Sequence, residues 1–275
     1  MKIWEALIYG LVAGLTGLLP VSFSGHAAVL QDAFALSPLT QGGGLYVRTA
    51  ITLGLSAALV LAFPRELQLT CGELARRPQR GKRARQPSPR RRAVLMGLLA
   101  LPIGLLSLIW CAAAERITRL SLIAAFFCLN GLILFAAGRP GGQKDARALM
   151  LPDALLAGAT RLAAVLPGLS PLGLTLAVCR LRDLRTDFAL RFTAMLTLGF
   201  SLCEFVYRLL RAVIVGTFSA SLWLPMLVAL VASTVAGYFA LQYLKYLLHR
   251  EKLRVFSYYC WDAAVIALIL ALINA

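Results

Sequence analysis

The stretch "LVAGLTGLLPVSFSGHAAVL", residues 11–30, decides the fold. It is apolar almost throughout, yet Pro20, two serines and His26 stand in its middle. A plain membrane-spanning helix needs none of these residues, and proline removes a backbone donor from a helix. We therefore predict two short helices with a break between them, inside an apolar segment that covers residues 3–36.

The composition of the chain is that of an integral membrane protein. Of its 275 residues, 60% are hydrophobic and 15% are charged, with a mean hydropathy of +0.78, whereas about a quarter of the residues in a soluble domain are charged. We predict one compact all-α membrane domain over residues 1–275. Six apolar stretches approach the ~20 residues that cross a bilayer. They are residues 45–63, 93–113, 120–138, 188–210, 222–244 and 257–273.

The net charge of +16 indicates topology rather than a nucleic-acid partner. Ten of the 28 basic residues lie in one loop, residues 65–92, and short basic loops stay on the cytoplasmic side of a membrane. With that loop inside, 20 of the 28 basic residues are cytoplasmic if residues 151–180 dip into the membrane and return. The N-terminus is then outside. We predict a multi-pass membrane protein whose basic loops meet membrane lipids.

The two interrupted apolar segments resemble each other. "AGLTGLLPVSFSG" begins at Ala13 and "AGATRLAAVLPGLSPLG" at Ala157, and both contain A-G-x-T, then L-P, then S-x-x-G. We predict an inverted repeat, residues 1–138 and 151–275, in which each half is a re-entrant helical hairpin plus three transmembrane helices. This gives six full spans and two re-entrant hairpins. Such repeats bring broken helices together near the middle of the membrane, where substrates bind; the alternative is chance similarity between two Pro/Gly kinks.

The two breaks are suited to an anion. Backbone groups freed inside a membrane must meet protein or a water-filled cavity, and a helix that begins after a break carries partial positive charge at its first N–H groups. Hydroxyl and imidazole groups add further donors. The predicted headgroup-binding residues at the breaks are Ser22, Ser24, Gly25, His26, Gly168, Ser170 and Gly173. A phosphate on a lipid tail is the anion expected inside a hydrophobic protein.

Three charged residues of the apolar segments leave alternatives open. Arg161 lies five residues before Leu166, where it either steadies a phosphate or extends to the cytoplasmic surface. Arg48, at the outer start of a span, either faces the cavity or does not. Glu204 precedes Arg208 by four residues, which indicates either a structural ion pair or a lining of the cavity. The six cysteines are scattered and predict neither a metal site nor a disulfide framework.

At these residues the chain resembles the bacterial undecaprenyl-diphosphate phosphatase family, also called bacitracin-resistance proteins. The resemblance includes "GLTGLLPVSFSGH", "ALLAGATRLAAVLPGLSPLG" and "TDFALRFTAMLTLGF", and it covers nearly the whole chain. It implies six transmembrane helices with two opposed re-entrant hairpins, in the bacterial inner membrane. It also implies removal of one phosphate from undecaprenyl diphosphate, usually with a divalent cation.

The chain departs from the first motif that this resemblance implies, which is similar to E-G-L-T-E-F-L-P-V-S-S-T-G-H. Ala13 and Gly17 stand in place of the two glutamates, and Phe23 stands in place of the middle serine. Ser24 replaces the threonine, and His26 is kept. Without the carboxylates, Mg²⁺ or Ca²⁺ has no obvious set of oxygen ligands.

The second implied motif, similar to P-G-x-S-R-S-G, is changed as well. Pro171 takes the place of the arginine and Leu172 that of the serine, while Arg48 takes the place of a further glutamate. Phosphoryl transfer depends on metal ions and cationic groups that spread the charge of the transferring oxygens. The substitutions together predict loss of ordinary hydrolysis.

We therefore expect a member of this family that binds or translocates a polyprenyl phosphate or diphosphate without ordinary hydrolysis and without a cofactor, with a homodimer as a possible assembly. The alternative is a divergent undecaprenyl-diphosphate phosphatase. In that case His26 or Ser24 is the nucleophile or base, Arg161 or Arg48 steadies the phosphate, and a divalent cation such as Mg²⁺ or Ca²⁺ takes part. A third interpretation is a structural partner of cell-envelope enzymes. For His26 the alternative to catalysis is a structural role, because a single histidine at a helix start is more often simply hydrogen-bonded.

Overall fold

A computed structural model describes residues 1–75, 88–140 and 142–274. In these ranges the regular structure is helical, with a single isolated β-bridge between Lys144 and Leu184, so the all-α prediction is confirmed. The helices are α1 Ile3–Gly17, α2 Phe23–Phe34, α3 Gly44–Ala62, α4 Pro64–Ala75, α5 Pro89–Leu105, α6 Leu108–Ala114, α7 Leu120–Ala137, α8 Leu151–Ala164, α9 Pro171–Leu181, α10 Thr186–Val215, α11 Trp223–His249 and α12 Val255–Ile273. A 3-10 turn, Ala220–Leu222, precedes α11.

Four of the described helices, α3, α7, α11 and α12, are long and apolar enough to cross a membrane. A fifth span results if α5 and α6 are counted together, although the two are bent by 45°. These five correspond to the predicted spans other than residues 188–210. That span lies in α10, which at 30 residues is about 45 Å long. α10 carries the charged residues Glu204, Arg208 and Arg211.

The predicted basic loop, residues 65–92, is partly helical. α4 extends to Ala75 and α5 begins at Pro89. α4 begins on a proline too, which suits the first turn of a helix because the missing N–H has no helical partner there. α4 has no buried residues, as expected of a helix outside the packed interior. Residues 76–87, with six of the loop's ten basic residues, lie outside the described residues.

Both predicted breaks are present. α1 ends at Gly17 before α2 begins at Phe23, and α8 ends at Ala164 before α9 begins at Pro171. α1 packs against α2, and α8 packs against α9; we call these pairs the first hairpin and the second hairpin. α1, with 15 residues, is about 22 Å long and is shorter than the ~30 Å hydrocarbon core. Re-entry of the hairpins from opposite faces stays a prediction.

Helix packing is reciprocal between the two halves of the chain. α1 packs on α11 as α8 packs on α5, and α3 packs on α11 as α10 packs on α5. The pairs α7–α12 and α3–α10 also pack together. If α1, α3, α5 and α7 are exchanged for α8, α10, α11 and α12 respectively, α1–α11 becomes α8–α5 and α3–α11 becomes α10–α5. The pairs α7–α12 and α3–α10 stay the same. An inverted repeat predicts this pattern, and the repeat with bounds 1–138 and 151–275 stays a prediction.

Small residues let the first helix of each hairpin approach a longer helix. A Cβ on Gly14 of α1 would lie 2.6 Å from the Cβ of Ala236 on α11. A Cβ on Gly158 of α8 would lie 2.4 Å from the carbonyl oxygen of Ala100 on α5. Without a hydrophobic driving force between helices in lipid, such close backbone packing is a main source of helix association.

A buried carboxylate closes the base of each hairpin. Glu5, in the first turn of α1, accepts hydrogen bonds from the Ser37 hydroxyl at 3.0 and 3.1 Å. Asp153, in the first turn of α8, accepts a hydrogen bond from Nε of Arg182 at 2.7 Å. Ser37 and Arg182 each follow the second helix of their hairpin. In both hairpins one carboxylate therefore ties the entering chain to the leaving chain.

Candidate functional site

The two breaks meet in the interior of the protein. We call their contact, formed by Leu19, Ser22, Gly25, Gly168 and Ser170, the hairpin junction. Ser22 is fully buried and accepts a hydrogen bond from the N–H of Gly168 at 3.1 Å, and Ser170 donates to the carbonyl of Leu19 at 3.3 Å. A Cβ on Gly25 would lie 2.9 Å from the backbone of Gly168, so glycine is required for this approach.

The junction serines also cap the short helices that follow the breaks. Ser22 Oγ accepts from the N–H of Gly25 at 3.5 Å, and Ser170 Oγ accepts from the N–H of Gly173 at 3.1 Å. These bonds satisfy N–H groups that a helix start leaves free. Ser22 has a φ of 71°, a conformation that costs a serine about 1–3 kcal/mol. Five of the predicted headgroup ligands, these two serines with Gly25, Gly168 and Gly173, thus make contacts within the protein itself.

Asn130 on α7, which the sequence did not single out, joins the two breaks. It is fully buried. Its Nδ2 donates to the carbonyl of Pro20 at 2.9 Å, and its Oδ1 accepts from the N–H of Ser170 at 3.0 Å. One amide therefore satisfies a backbone group from each hairpin. The signal that could have indicated it is a polar side chain inside an otherwise apolar span.

His26 is held by groups on its own helix, on α7 and on α12. Its Nδ1 lies 2.7 Å from the carbonyl oxygen of Ser22, and its Nε2 lies 2.9 Å from the hydroxyl of Tyr259. The ring packs edge-on against Phe127. Both ring nitrogens have partners, as expected of a hydrogen-bonded histidine at a helix start. A catalytic role for His26 stays a prediction.

A cavity of about 120 Å³ lies between the two hairpins, α3, α6 and α10. Its polar lining consists of Ser24, Arg48, Thr52, Ser107, Glu115, Arg161, Thr197, Ser201, Glu204 and Arg208. Its apolar lining includes Leu18, Phe23, Leu55, Leu59, Leu108 and Val165. The cavity therefore presents charged groups and apolar surface to the same ligand.

Arginines and glutamates form one network at this cavity, which we call the ionic cluster. Its members are Arg48, Arg161, Arg208, Arg211, Glu115 and Glu204. Arg208 connects the network, because its guanidinium lies 2.8 Å from Glu115 and 2.7 Å from Glu204. Buried charges need such pairing, since an unpaired charge in a low dielectric is costly.

Arg48 and Arg161 both line the cavity, and contact of either with a phosphate stays a prediction. Their side chains are 14% and 13% exposed. Arg48 lies 3.2 Å from Glu115, and Arg161 pairs with Glu204 instead of extending to the surface. The Glu204–Arg208 pair is both the predicted ion pair and part of the lining. Glu115 could not be identified from the sequence, because its partner Arg208 lies 93 positions further along the chain and no local pattern relates the two.

The donor set at the cavity does not fit a resident divalent cation. Each carboxylate oxygen of Glu115 and of Glu204 already lies against a guanidinium. Mg²⁺ and Ca²⁺ take oxygen ligands and would have to displace those arginines. In the three described ranges of the chain, no three His, Cys, Asp or Glu side chains are grouped so that they could hold a metal ion.

Fold and cavity together define a polytopic helical membrane protein with an arginine-rich cavity among its helices. Residues 6–266 match the family described as Bacitracin resistance protein BacA. The chain belongs to this family, as its motifs predicted.

Curated relatives align with nearly the whole chain. One from Methanobrevibacter smithii is 30% identical over 272 residues, which cover 97% of this chain and 96% of the relative. One from Carboxydothermus hydrogenoformans is 31% identical over 273 residues, 98% of each chain. One from Rubrobacter xylanophilus is 30% identical over 275 residues, 99% of this chain and all of the relative. Each of the three is named undecaprenyl-diphosphatase.

Proposed function

We propose that this protein binds the phosphate or diphosphate headgroup of a polyprenyl lipid in the arginine-lined cavity and translocates the lipid without ordinary hydrolysis. The observation that supports this most directly is the excess of guanidinium over carboxylate groups in the ionic cluster. Arginine presents a planar fork of donors that matches phosphate oxygens. Ionisable groups inside membrane proteins are costly and usually serve function.

The apolar part of the cavity lining supports a lipid rather than a water-soluble anion. Leu18, Leu55 and Leu59 line the same cavity as Arg48 and Arg161. A prenyl tail would meet the leucines while its phosphate meets the guanidinium groups. The names of the aligned relatives indicate the same substrate class.

Two residues of the lining support binding without ordinary hydrolysis. Gly17 and Pro171 line the cavity, and they stand where the family resemblance implies a glutamate and an arginine. The carboxylates that are present, Glu115 and Glu204, are held by arginines and are not free to take a metal ion or a proton from water. The side chains at this cavity therefore favour holding an anion over attacking it.

Binding is tested with purified protein in nanodiscs, titrated with a polyprenyl diphosphate. We expect saturable binding that weakens about 10- to 100-fold in Arg161→Gln, because a hydrogen bond to a charged group contributes about 1.5–3 kcal/mol. Arg191→Gln is the matched control, since Arg191 is an exposed arginine whose partner is Glu66. Equal affinities of the two variants would contradict the site.

Hydrolysis and movement are measured on the same protein. We expect no release of phosphate from polyprenyl diphosphate, with or without Mg²⁺, and faster exchange of a short-chain polyprenyl phosphate between the leaflets of proteoliposomes than in protein-free vesicles. Phosphate release at enzymatic rates would contradict the proposal that the protein does not hydrolyse the lipid. Exchange between leaflets at the rate of protein-free vesicles would contradict translocation.

A second candidate function is hydrolysis of polyprenyl diphosphate, as in the names of the relatives. The observation that favours it is the position of Ser24, whose side chain lines the cavity together with Arg48 and Arg161. Ser24 Oγ then attacks the terminal phosphorus, polyprenyl phosphate leaves and the serine proton passes to solvent, while the arginines stabilise charge on the transferring phosphoryl group. Water then hydrolyses the phosphoserine and releases phosphate. Loss of phosphate release in Ser24→Ala, with lipid binding retained, would support this candidate.

A further inference from the structure

We propose that the ionic cluster selects a phosphate monoester headgroup over a diphosphate. This inference rests on the proposed function, because it takes the cavity as the site of a polyprenyl headgroup. It goes further in naming which of the two headgroups the site is built to hold.

The charges of the ionic cluster do not cancel. Four guanidinium groups face two carboxylates, which leaves a formal charge of +2. The cluster is largely withdrawn from solvent, with side-chain exposures between 6% and 21%. Screening by water and salt is weak at such positions, so a residual charge there is expensive.

A phosphate monoester matches this residual charge. A phosphate on a single ester carries about −1.5 to −2 at pH 7 and brings the cluster close to neutral. A diphosphate adds a second, ionised phosphoryl group, so its charge exceeds that of the cluster and leaves the site with an excess of negative charge inside the membrane. The free energy of a charge in a low dielectric rises with the square of that charge, so the neutral complex is favoured.

The glutamates add to this discrimination. Glu115 and Glu204 line the same cavity of about 120 Å³ as Arg48, Arg161 and Arg208. Every further negative charge on a ligand is therefore brought near two carboxylates, which is repulsive in a low dielectric. A site of arginines alone would favour the diphosphate, because it carries more negative charge. A site in which glutamates lie beside the arginines favours the monophosphate, because the glutamates repel the additional charge.

The test compares affinities in nanodiscs of uncharged lipid for four probes: a polyprenyl monophosphate, a non-hydrolysable diphosphonate analogue of the diphosphate, the parent polyprenol and inorganic phosphate. We expect the monophosphate to bind at least tenfold more tightly than the diphosphonate. Diphosphonate binding that is equal or tighter would overturn the inference and leave the proposed function standing. Binding of neither lipid anion, or equal binding of polyprenol or inorganic phosphate, would overturn both.

Charge variants test the cause through the ratio of the two affinities, which a general loss of folded protein does not change. Glu204→Gln raises the formal charge of the cluster to about +3 and should shift the ratio toward the diphosphonate. Arg211→Gln lowers that charge to about +1 and should shift the ratio toward the monophosphate. Arg191→Gln, outside the cluster, should leave the ratio unchanged. Shifts of the same sign in both cluster variants, or a constant ratio, would overturn the assignment.

Discussion

Asn130 lies where two broken helices present backbone groups that their own helices do not satisfy. Its amide pairs with the Pro20 carbonyl on one side and with the Ser170 N–H on the other. Because no water is available at a fully buried position, each group would be unsatisfied without it. A single side chain thus makes the junction of the two hairpins compatible with burial.

Replacing Asn130 by alanine should therefore destabilise the protein. We expect the free energy of unfolding to fall by about 1–3 kcal/mol for each of the two groups left without a partner. Thermal unfolding in detergent measures this as a lower midpoint temperature. Gln68→Ala is the control, because Gln68 lies exposed on α4 and such changes are usually within about 0.5 kcal/mol. A similar midpoint for both variants would show that Asn130 does not hold the junction.

The structural role of some single residues can be predicted from the sequence, whereas that of others cannot. Pro20 and Pro167 mark the breaks, because proline changes the backbone at its own position. Glu115 and Arg208 give no such mark, since what matters is their meeting across the fold at 2.8 Å. Arg161 was left with two alternatives for the same reason: an arginine near a helix end can extend to water or pair inside, and only Glu204 decides.

The contact between the two hairpins depends on Gly25, which has no side chain. A Cβ on Gly25 would lie 2.5 Å from the ring of Phe127 and 2.9 Å from the backbone of Gly168. The phenyl ring could move a little, but the backbone of the other hairpin is fixed by its own hydrogen bonds. The close approach of the first hairpin to the second therefore requires glycine at this position.

Gly25→Ala should separate the hairpins and lower the midpoint of thermal unfolding. Overpacking of this kind typically costs about 1–3 kcal/mol. Gly72→Ala is the matched control, because no atom lies within 4 Å of a Cβ at Gly72 on α4; alanine there should be neutral or stabilise by up to about 1 kcal/mol through helix propensity. If Gly25→Ala were as stable as Gly72→Ala, the described contact between the hairpins would be wrong.

The sequence predicted which segments are helical better than it predicted where the helices bend. The stretch 93–113 was predicted as one span, whereas the chain bends by 45° between α5 and α6. Pro102 stands inside α5, and Ser107 donates its N–H to Gly104 three residues back, which tightens the helix before the bend. Hydrophobicity sets the length of a span, but the packing of Gly104 against Phe200 and Gly158 shapes it.

For the whole molecule, the distribution of basic residues predicts which face is cytoplasmic. Cys71 on α4 is exposed and lies at the start of the basic loop. In a Cys128→Ser background, a membrane-impermeant maleimide should label Cys71 only after the cells are permeabilised, and Cys71→Ser should abolish that label. A cysteine at Ser219, between α10 and α11, should be labelled in intact cells. The opposite pattern would reverse the topology.

The overall arrangement follows from the sequence only in outline. Long apolar stretches and two similar breaks predicted helices, spans and hairpins, because those features depend on neighbours along the chain. The ionic cluster depends on four separate segments, from Arg48 on α3 to Arg211 on α10. No pattern in one sequence specifies which faces of distant helices will meet.

The pairing of Arg161 with Glu204 has a consequence for motion. It joins the second hairpin to α10 across the cavity. If the hairpin moved away from α10, Glu204 would keep Arg208, but Arg161 would lose its counter-ion in a medium that solvates it poorly. An incoming phosphate that accepts from Arg161 offers a replacement counter-ion that travels with the arginine. Under the proposed function, the second hairpin of the empty protein should therefore stay paired with α10, and a bound lipid phosphate should allow the two to separate.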